Sequence, residues 1–202
     1  MDLQNHWEGV KKEWRHIVNT MDNDKVNKTI NNFNKHYISH VNTEDVEYSV
    51  DWGCGGGLLS KQLKKFSKVI SIDISTDSLE NCKKYARPYK AILIKEPEDV
   101  IIEEKVDLVF ANAIVWHFPS LEYFERVLDI WYGLSPKYIV FNTKRSDEVE
   151  EVKNYNREYL SALKLSDKWV EEKMKQNGYE VVKKSLPGNT AVKSTHYVFK
   201  KI

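Results

Sequence analysis

Apolar residues early in the chain recur at intervals of three and four. Trp7, Val10, Trp14, Ile17 and Val18 make one stripe, and Val26, Ile30, Phe33 and Tyr37 make a second. That spacing puts side chains on one face of an α-helix and predicts two amphipathic helices before residue 45. Further on the rhythm changes to short apolar runs separated by longer periodic segments. The runs at 48–52, 69–74, 91–94, 106–111 and 138–141 read as strands. Between them Leu58, Leu59, Leu63 and Phe66 share a helical face, SLENCKKYA (78–86) reads as a helix, and apolar residues at 121, 124, 127, 128 and 131 mark another. Ser166 is expected to cap a helix over 167–177, with Gly178 just past its end. The segments 179–182 and 191–199, joined through LPGN, read as a closing β-hairpin.

Strands that alternate with helices imply βαβ units. The expected fold is α/β: a doubly wound, mostly parallel sheet with a C-terminal antiparallel hairpin and an N-terminal helical extension. Residues 1–45 are assigned to that extension, or lid, and 46–202 to the α/β domain. The segment KRSDEVEEVKNYNREYLSALKLS (144–166) follows the fifth strand, and its charge run reads mostly as a solvated helix. Arg145, Tyr155, Arg157 and Tyr159 within it are candidates to meet a polar or acidic ligand.

Composition narrows the partners. With 31 basic and 30 acidic side chains, no global field draws the protein to nucleic acid or to an anionic membrane. Lys61, Lys64, Lys65 and Lys68 are expected on a solvated helix face. No apolar run approaches the roughly 20 residues that cross a bilayer, and the start MDLQNHWEGVKKEW is too polar for a secretory signal. Cys54 and Cys82 supply neither a disulfide framework nor a metal-ligand set, and suit a reducing compartment. These features predict a soluble, cytoplasmic protein.

The stretch YSVDWGCGGGLLS (48–60) carries the chemistry. Clustered glycines after a strand let the main chain turn sharply or approach a ligand closely. A dinucleotide fingerprint needs a third glycine at position 58, which is Leu58. The pattern present is D-x-G-x-G-x-G, from Asp51 through Gly53 and Gly55 to Gly57. A carboxylate just upstream suits a ligand with an ammonium group better than a pyrophosphate. Asp73, eighteen residues after Gly55, ends the second strand, where an acid accepts hydrogen bonds from ribose hydroxyls. An ammonium, a ribose and no phosphate describe S-adenosylmethionine.

VDWGCGGGLLS followed by VISIDIS resembles the first two motifs of class I S-adenosylmethionine-dependent methyltransferases, and DLVFANAIVWHFPSLEYFERVLDIWYGLSPKYIVFNT resembles their fourth strand, next helix and fifth strand. The tail SDKWVEEKMKQNGYEVV resembles their last helix and sixth strand. The resemblance covers about residues 48–201. It implies a Rossmann-like sheet and S-adenosylmethionine as cofactor. It also implies that Asp51 serves the amino-acid end, partly through water, and that Gly53, Cys54 and Gly55 run beneath the cofactor. Asp73 would take the ribose, Ile74 would pack on adenine, and Asn112 would face the methionine portion. An acid after the third strand would meet the adenine amino group. Glu96 aligns best, but Pro97 lacks the backbone N–H that usually accompanies it. A slid register would use Glu98 with the Asp99 N–H.

Methyl transfer from a sulfonium is an in-line displacement that needs alignment and often a base. His117, after the fourth strand, is the candidate base, the competing reading being a structural or shielding role. Trp116 either walls the pocket or packs. The strand-four sequence NAIV differs from the Pro-Pro-aromatic motif of enzymes that methylate DNA amino groups, no acid cluster marks a magnesium site, and no basic arm is present. A small-molecule acceptor, a hydroxylated metabolite or sugar methylated at oxygen or nitrogen, is expected by elimination. The alternatives are a protein or nucleic-acid acceptor, and a non-catalytic S-adenosylmethionine-binding protein.

Overall fold

The computed structural model describes residues 23–152, 162–186 and 194–202. Helix α1 (Asn23–His36) is the second of the two expected near the N-terminus. The first, with Trp7 and Trp14, lies outside the described residues. Five strands then run parallel: β1 (Tyr48–Trp52), β2 (Lys68–Asp73), β3 (Lys90–Leu93), β4 (Leu108–Ala111) and β5 (Tyr138–Arg145). Helices α2 (Leu58–Leu63), α3 (Thr76–Tyr85) and α4 (Leu121–Leu134) connect them. Ser75, Ser120 and Ser166 cap α3, α4 and α5 (Asp167–Gln176), each accepting from a backbone N–H three residues on. Gly178, at φ +82°, stops α5 as its position predicts.

The parallel strands lie in the order β3-β2-β1-β4-β5. The chain leaves β1 toward one edge, then returns to its other side for β4, so strand order reverses at the carboxyl ends of β1 and β4. Ligand crevices of doubly wound sheets open at that point. Strands β8 (Tyr179–Ser185) and β9 (Ser194–Lys201) form the expected antiparallel hairpin, with β9 against β5.

The segment after β5 departs from expectation. Its described ends are strands, not a solvated helix. β5 runs on to Arg145, β6 covers Glu150–Val152, and β7 covers Ala162–Leu165. β7 pairs in parallel with Lys144 and Arg145, and β6 pairs antiparallel with β7. Because β9 already holds the opposite edge of β5 through Lys144 and Ser194, β7 sits on the β4 side, beyond the Ala111–Phe141 pair that ends the β4 ladder. Leu163 and Leu165 are buried in the main core, and that burial outweighs the helical charge rhythm around them. Tyr155, Arg157 and Tyr159 lie outside the described residues.

Alternation along β4 divides the core. Val109 and Ala111 face one layer with Phe124, Val127 and Trp131 of α4 and Val170 and Met174 of α5. Leu108 and Phe110 face the other with Leu59 and Leu63 of α2 and Phe33 of α1. Phe33 and Tyr37 both meet the Phe110 ring edge-on, with centroids 5.3 and 5.4 Å away. Burying such a side chain contributes about 2–3 kcal/mol, which fastens α1 to the sheet. A second tie runs to the far end of the sequence. His36 Nδ1 is 2.9 Å from Ser185 Oγ, and Tyr37 stacks on His196 at 5.1 Å. Lys61, Lys64, Lys65 and Lys68 are exposed, but they do not share a helix face: α2 ends at Leu63, so only Lys61 lies within it, and Lys68 opens β2. Among the described residues no helix is long and apolar enough to cross a membrane.

Candidate functional site

The loop between β1 and α2 is pinned from below. The N–H groups of Gly53 and Cys54 both donate to the Ile72 carbonyl, at 2.8 and 3.0 Å. Gly53, Gly55 and Gly57 have φ of +74°, +52° and +86°, a region costly for residues with a Cβ. Their surroundings differ. A Cβ on Gly53 would lie 2.8 Å from the Ile114 side chain, and one on Gly57 would lie 2.8 Å from Cys82 Sγ and 3.0 Å from Cys82 Cα. A Cβ on Gly55 would meet nothing within 4 Å. Two of the glycines therefore permit close packing within the protein, while at Gly55 the main chain faces open space. That is the cradle a ligand passing over the backbone requires.

Asp73 closes the loop against the end of β2. Its Oδ2 accepts from Gly55 N–H and its Oδ1 from Ser75 N–H, both at 2.8 Å. Ser75, not Asp73, caps α3. A carboxylate held through two backbone donors keeps lone pairs for further hydroxyl donors, so Asp73 suits ribose. Ile74 follows it, half-buried against the main core.

Asp51 is 3% exposed and sits beneath the loop. Ser60 of α2 donates to its Oδ2 at 2.5 Å, and Ser60 and Ser71 hydroxyls are 3.0 Å apart. Burial pushes the Asp51 carboxyl up to about 7, aided by the charges of Cys82 and Asp73 and opposed by the Ser60 hydrogen bond. Between about pH 4 and 7 the folded protein thus holds a proton that the unfolded chain has released. Stability should fall as pH rises through that window and level off above it. Asp51→Asn is expected to flatten this dependence and raise stability at pH 8 by on the order of 3 kcal/mol. Denaturant titrations of both proteins from pH 5 to 8 check it, and parallel curves would refute it. Cys54 is buried and its thiol is pushed up by a hydrogen bond with Cys82 and by burial, in keeping with a small filler rather than a nucleophile.

After β3, residues Pro97–Asp99 form a single 3₁₀ turn. Arg126 of α4 reaches across, donating from Nη2 to Glu96 at 3.1 Å and from Nε to Glu98 at 2.7 Å. The Asp99 N–H is donated to the Glu96 carbonyl at 3.1 Å. The slid register therefore lacks its backbone amide, just as Pro97 removes it from the first. Both acids lie at the expected edge, each sharing the same guanidinium.

The exit from β4 is braced twice. Asn112 Oδ1 accepts from the Tyr37 hydroxyl at 3.1 Å, and Asn142 Oδ1 accepts from Ala113 N–H at 2.7 Å. Ala113 is left-handed at φ +60°, a conformation that the Asn142 bond helps to hold. Ile114 then packs over Gly53. His117 ends the 3₁₀ turn Val115–His117, and Trp116 Nε1 donates to its Nε2 at 2.8 Å. An imidazole that accepts at Nε2 carries its proton on Nδ1 when neutral.

The elements thus bring Asp51, the glycine loop, Asp73 and the β4 exit together at the switch point, with Glu96 and Glu98 at one margin. Sequence reading missed Ser60, Ile114, Asn142 and the site role of Tyr37. Tyr37 was legible only as part of a helical stripe. Among the described residues no group of three or more metal-binding side chains occurs.

Residues 50–133 match the family model for a methyltransferase domain. The fold is similar to a SAM-dependent methyltransferase from Leishmania major (TM-score 0.74, 16% identity, covering 96% of this chain and 83% of that one). It is also similar to the magnesium protoporphyrin IX methyltransferase of Synechocystis with bound SAM (0.69, 14%, 95% and 90%). A third likeness is to an S-adenosylmethionine-dependent methyltransferase from Clostridium acetobutylicum (0.64, 13%, 99% and 99%). No curated protein sequence matches the chain.

Proposed function

We propose that the chain, whose residues 50–133 match the model for a methyltransferase domain, is a class I S-adenosylmethionine-dependent methyltransferase that methylates a small molecule, at an oxygen or nitrogen of a hydroxylated metabolite or sugar. The observation that supports this reading is the pairing of charge at the carboxyl edge of the sheet. Arg145 lies 3.6 Å from Asp167, Lys164 lies 2.8 Å from Glu150, and Lys184 lies 3.8 Å from Asp167. Cations already matched by carboxylates make a poor track for a phosphate backbone, whose binding rests on counterion release. A protein of the same fold, the magnesium protoporphyrin IX methyltransferase, acts on a small molecule by its name.

The cofactor supplies a sulfonium methyl whose departure leaves a neutral thioether. In the proposed division of labour, Gly53, Cys54 and Gly55 pass the main chain beneath it, Gly57 lets the end of that loop close on Cys82, and Asp73 takes the ribose hydroxyls. Asp51, buried beneath the loop, serves the amino-acid end partly through water, Ile74 lies along adenine with Glu96 or Glu98 at its margin, and Asn112 meets the amino-acid end. His117 removes the acceptor's proton. For that work the Trp116 indole must release Nε2, so the base is sheathed in this conformation. His117→Ala is expected to lower kcat roughly 100-fold and to remove the acidic limb of its pH profile. An unchanged profile would leave His117 a shielding role only.

To test the acceptor class, methyl-labelled S-adenosylmethionine is incubated with the protein and a panel of hydroxylated and amino metabolites, or with RNA, DNA and bulk protein. Label is expected in the small-molecule fraction. Label in a macromolecular fraction would refute this reading, and S-adenosylhomocysteine binding without turnover on any acceptor would favour a non-catalytic protein.

A further inference from the structure

Tyr37 belongs to the N-terminal segment, yet its hydroxyl ends at the exit of β4. The ring is 1% exposed, lies edge-on to Phe110 with planes 84° apart, and stacks on His196 with planes 20° apart. Phe110 and residue 112 are two apart on one strand and its exit, and therefore lie on one face. A tyrosine seated over Phe110 is thus directed along the strand to Asn112, whose Oδ1 it meets at 3.1 Å. Two aromatic neighbours leave the ring little freedom to turn. Burial also holds the phenol protonated far above neutral pH, so it remains a donor.

A side-chain amide has an acceptor on one branch and two donors on the other. With Oδ1 committed to Tyr37, the Asn112 N–H₂ is turned away from the Tyr37 hydroxyl. The neighbouring backbone cannot drift, because Asn142 holds Ala113 N–H at 2.7 Å. Side chain and main chain of the β4 exit are therefore set by two different elements.

We propose that Tyr37 is a positioning residue for methyl-donor binding: its hydroxyl fixes the Asn112 amide so that the N–H₂ is held as a donor to an oxygen of the donor's amino-acid end. This rests on the reading of Asn112 above and adds the group that orients it. It also gives the residue that follows α1 a task at the site. Without the phenol hydroxyl the amide is free to change rotamer as well as to flip, and only a small share of its conformations would present N–H₂ to a carboxylate.

The test is S-adenosylhomocysteine binding by calorimetry to wild type, Tyr37→Phe, Asn112→Ala and the double variant. Tyr37→Phe is expected to weaken binding roughly fivefold to twentyfold, which corresponds to a competent share of amide conformations of about 5–20%. In the Asn112→Ala background the same change should weaken it by less than about twofold, since no amide remains to orient. A purely structural tyrosine would cost the same in both backgrounds, and that result, or wild-type affinity in Tyr37→Phe, overturns the proposal. In the protein without cofactor, the Asn112 side-chain amide resonances should shift in Tyr37→Phe, and unmoved resonances overturn it as well. Failure of the wild type itself to bind would instead overturn the donor reading, and this inference with it.

Discussion

Asp73→Ala is expected to weaken S-adenosylhomocysteine binding by at least roughly 100-fold. Two losses combine in that one change. The ribose hydroxyls lose their acceptor, and Gly55 N–H and Ser75 N–H lose the carboxylate that holds them at 2.8 Å. Hydrogen bonds to a charged acceptor are worth about 1.5–3 kcal/mol each, so slackening the loop alone should register in affinity. Asp73→Asn separates the two parts. An amide keeps one acceptor oxygen for one of the backbone donors but cannot receive both ribose hydroxyls, so its affinity should fall between wild type and Asp73→Ala. Calorimetry on the three proteins decides it. A loss smaller than about fivefold in Asp73→Ala would show that the acid does not hold the cofactor.

The glycines should divide just as sharply, by stability against binding. Gly57→Ala places a methyl 3.0 Å from the Cys82 backbone and 3.1 Å from Ala86 Cβ, at φ +86°. Neither neighbour can swing aside as the end of a long side chain would. Left-handed strain and overpacking together should cost roughly 2–5 kcal/mol, and the melting temperature should drop by about 6–15 °C. Gly55→Ala carries only the strain at φ +52°, about 1–2 kcal/mol, because no protein atom lies within 4 Å. It should fold and still lose cofactor affinity by more than tenfold. Thermal melts read the first and binding the second. Equal melting temperatures for the two variants would overturn the distinction.

Much of the fold was legible because long apolar periods and short apolar runs rarely compete for the same residues. The strand at Tyr48–Trp52, the caps Ser166 and Gly178, and the closing hairpin lie where pattern and turn chemistry place them. The β6–β7 addition was not legible. ALKL is a four-residue run inside a charged stretch, and it becomes a strand through its pairing with Lys144 and Arg145 on one side and with β6 on the other. The glycines and acids of the site were readable because each is local to a strand end. Ser60 under Asp51, Asn142 under Ala113 and Tyr37 on Asn112 were not. Each acts on a partner distant in sequence through a contact that only the folded sheet creates.

The tie between His36 and Ser185 joins residues 149 positions apart, and Tyr37 stacks on His196, which is more distant still. On a ribosome, α1 emerges early, while its docking surface on β8 and β9 is among the last parts of the sheet to be made. Loop-closure entropy opposes so distant a contact until the intervening sheet has formed. The tie from the end of α1 to β8 and β9 is therefore among the last contacts of this sheet to form, after Phe33 has its place on Phe110. The hydrogen bonds that brace the β4 exit need nothing beyond Asn142, whereas the His196 ring that seats Tyr37 is supplied by β9, so the seat of the bracing tyrosine is completed after the braces themselves.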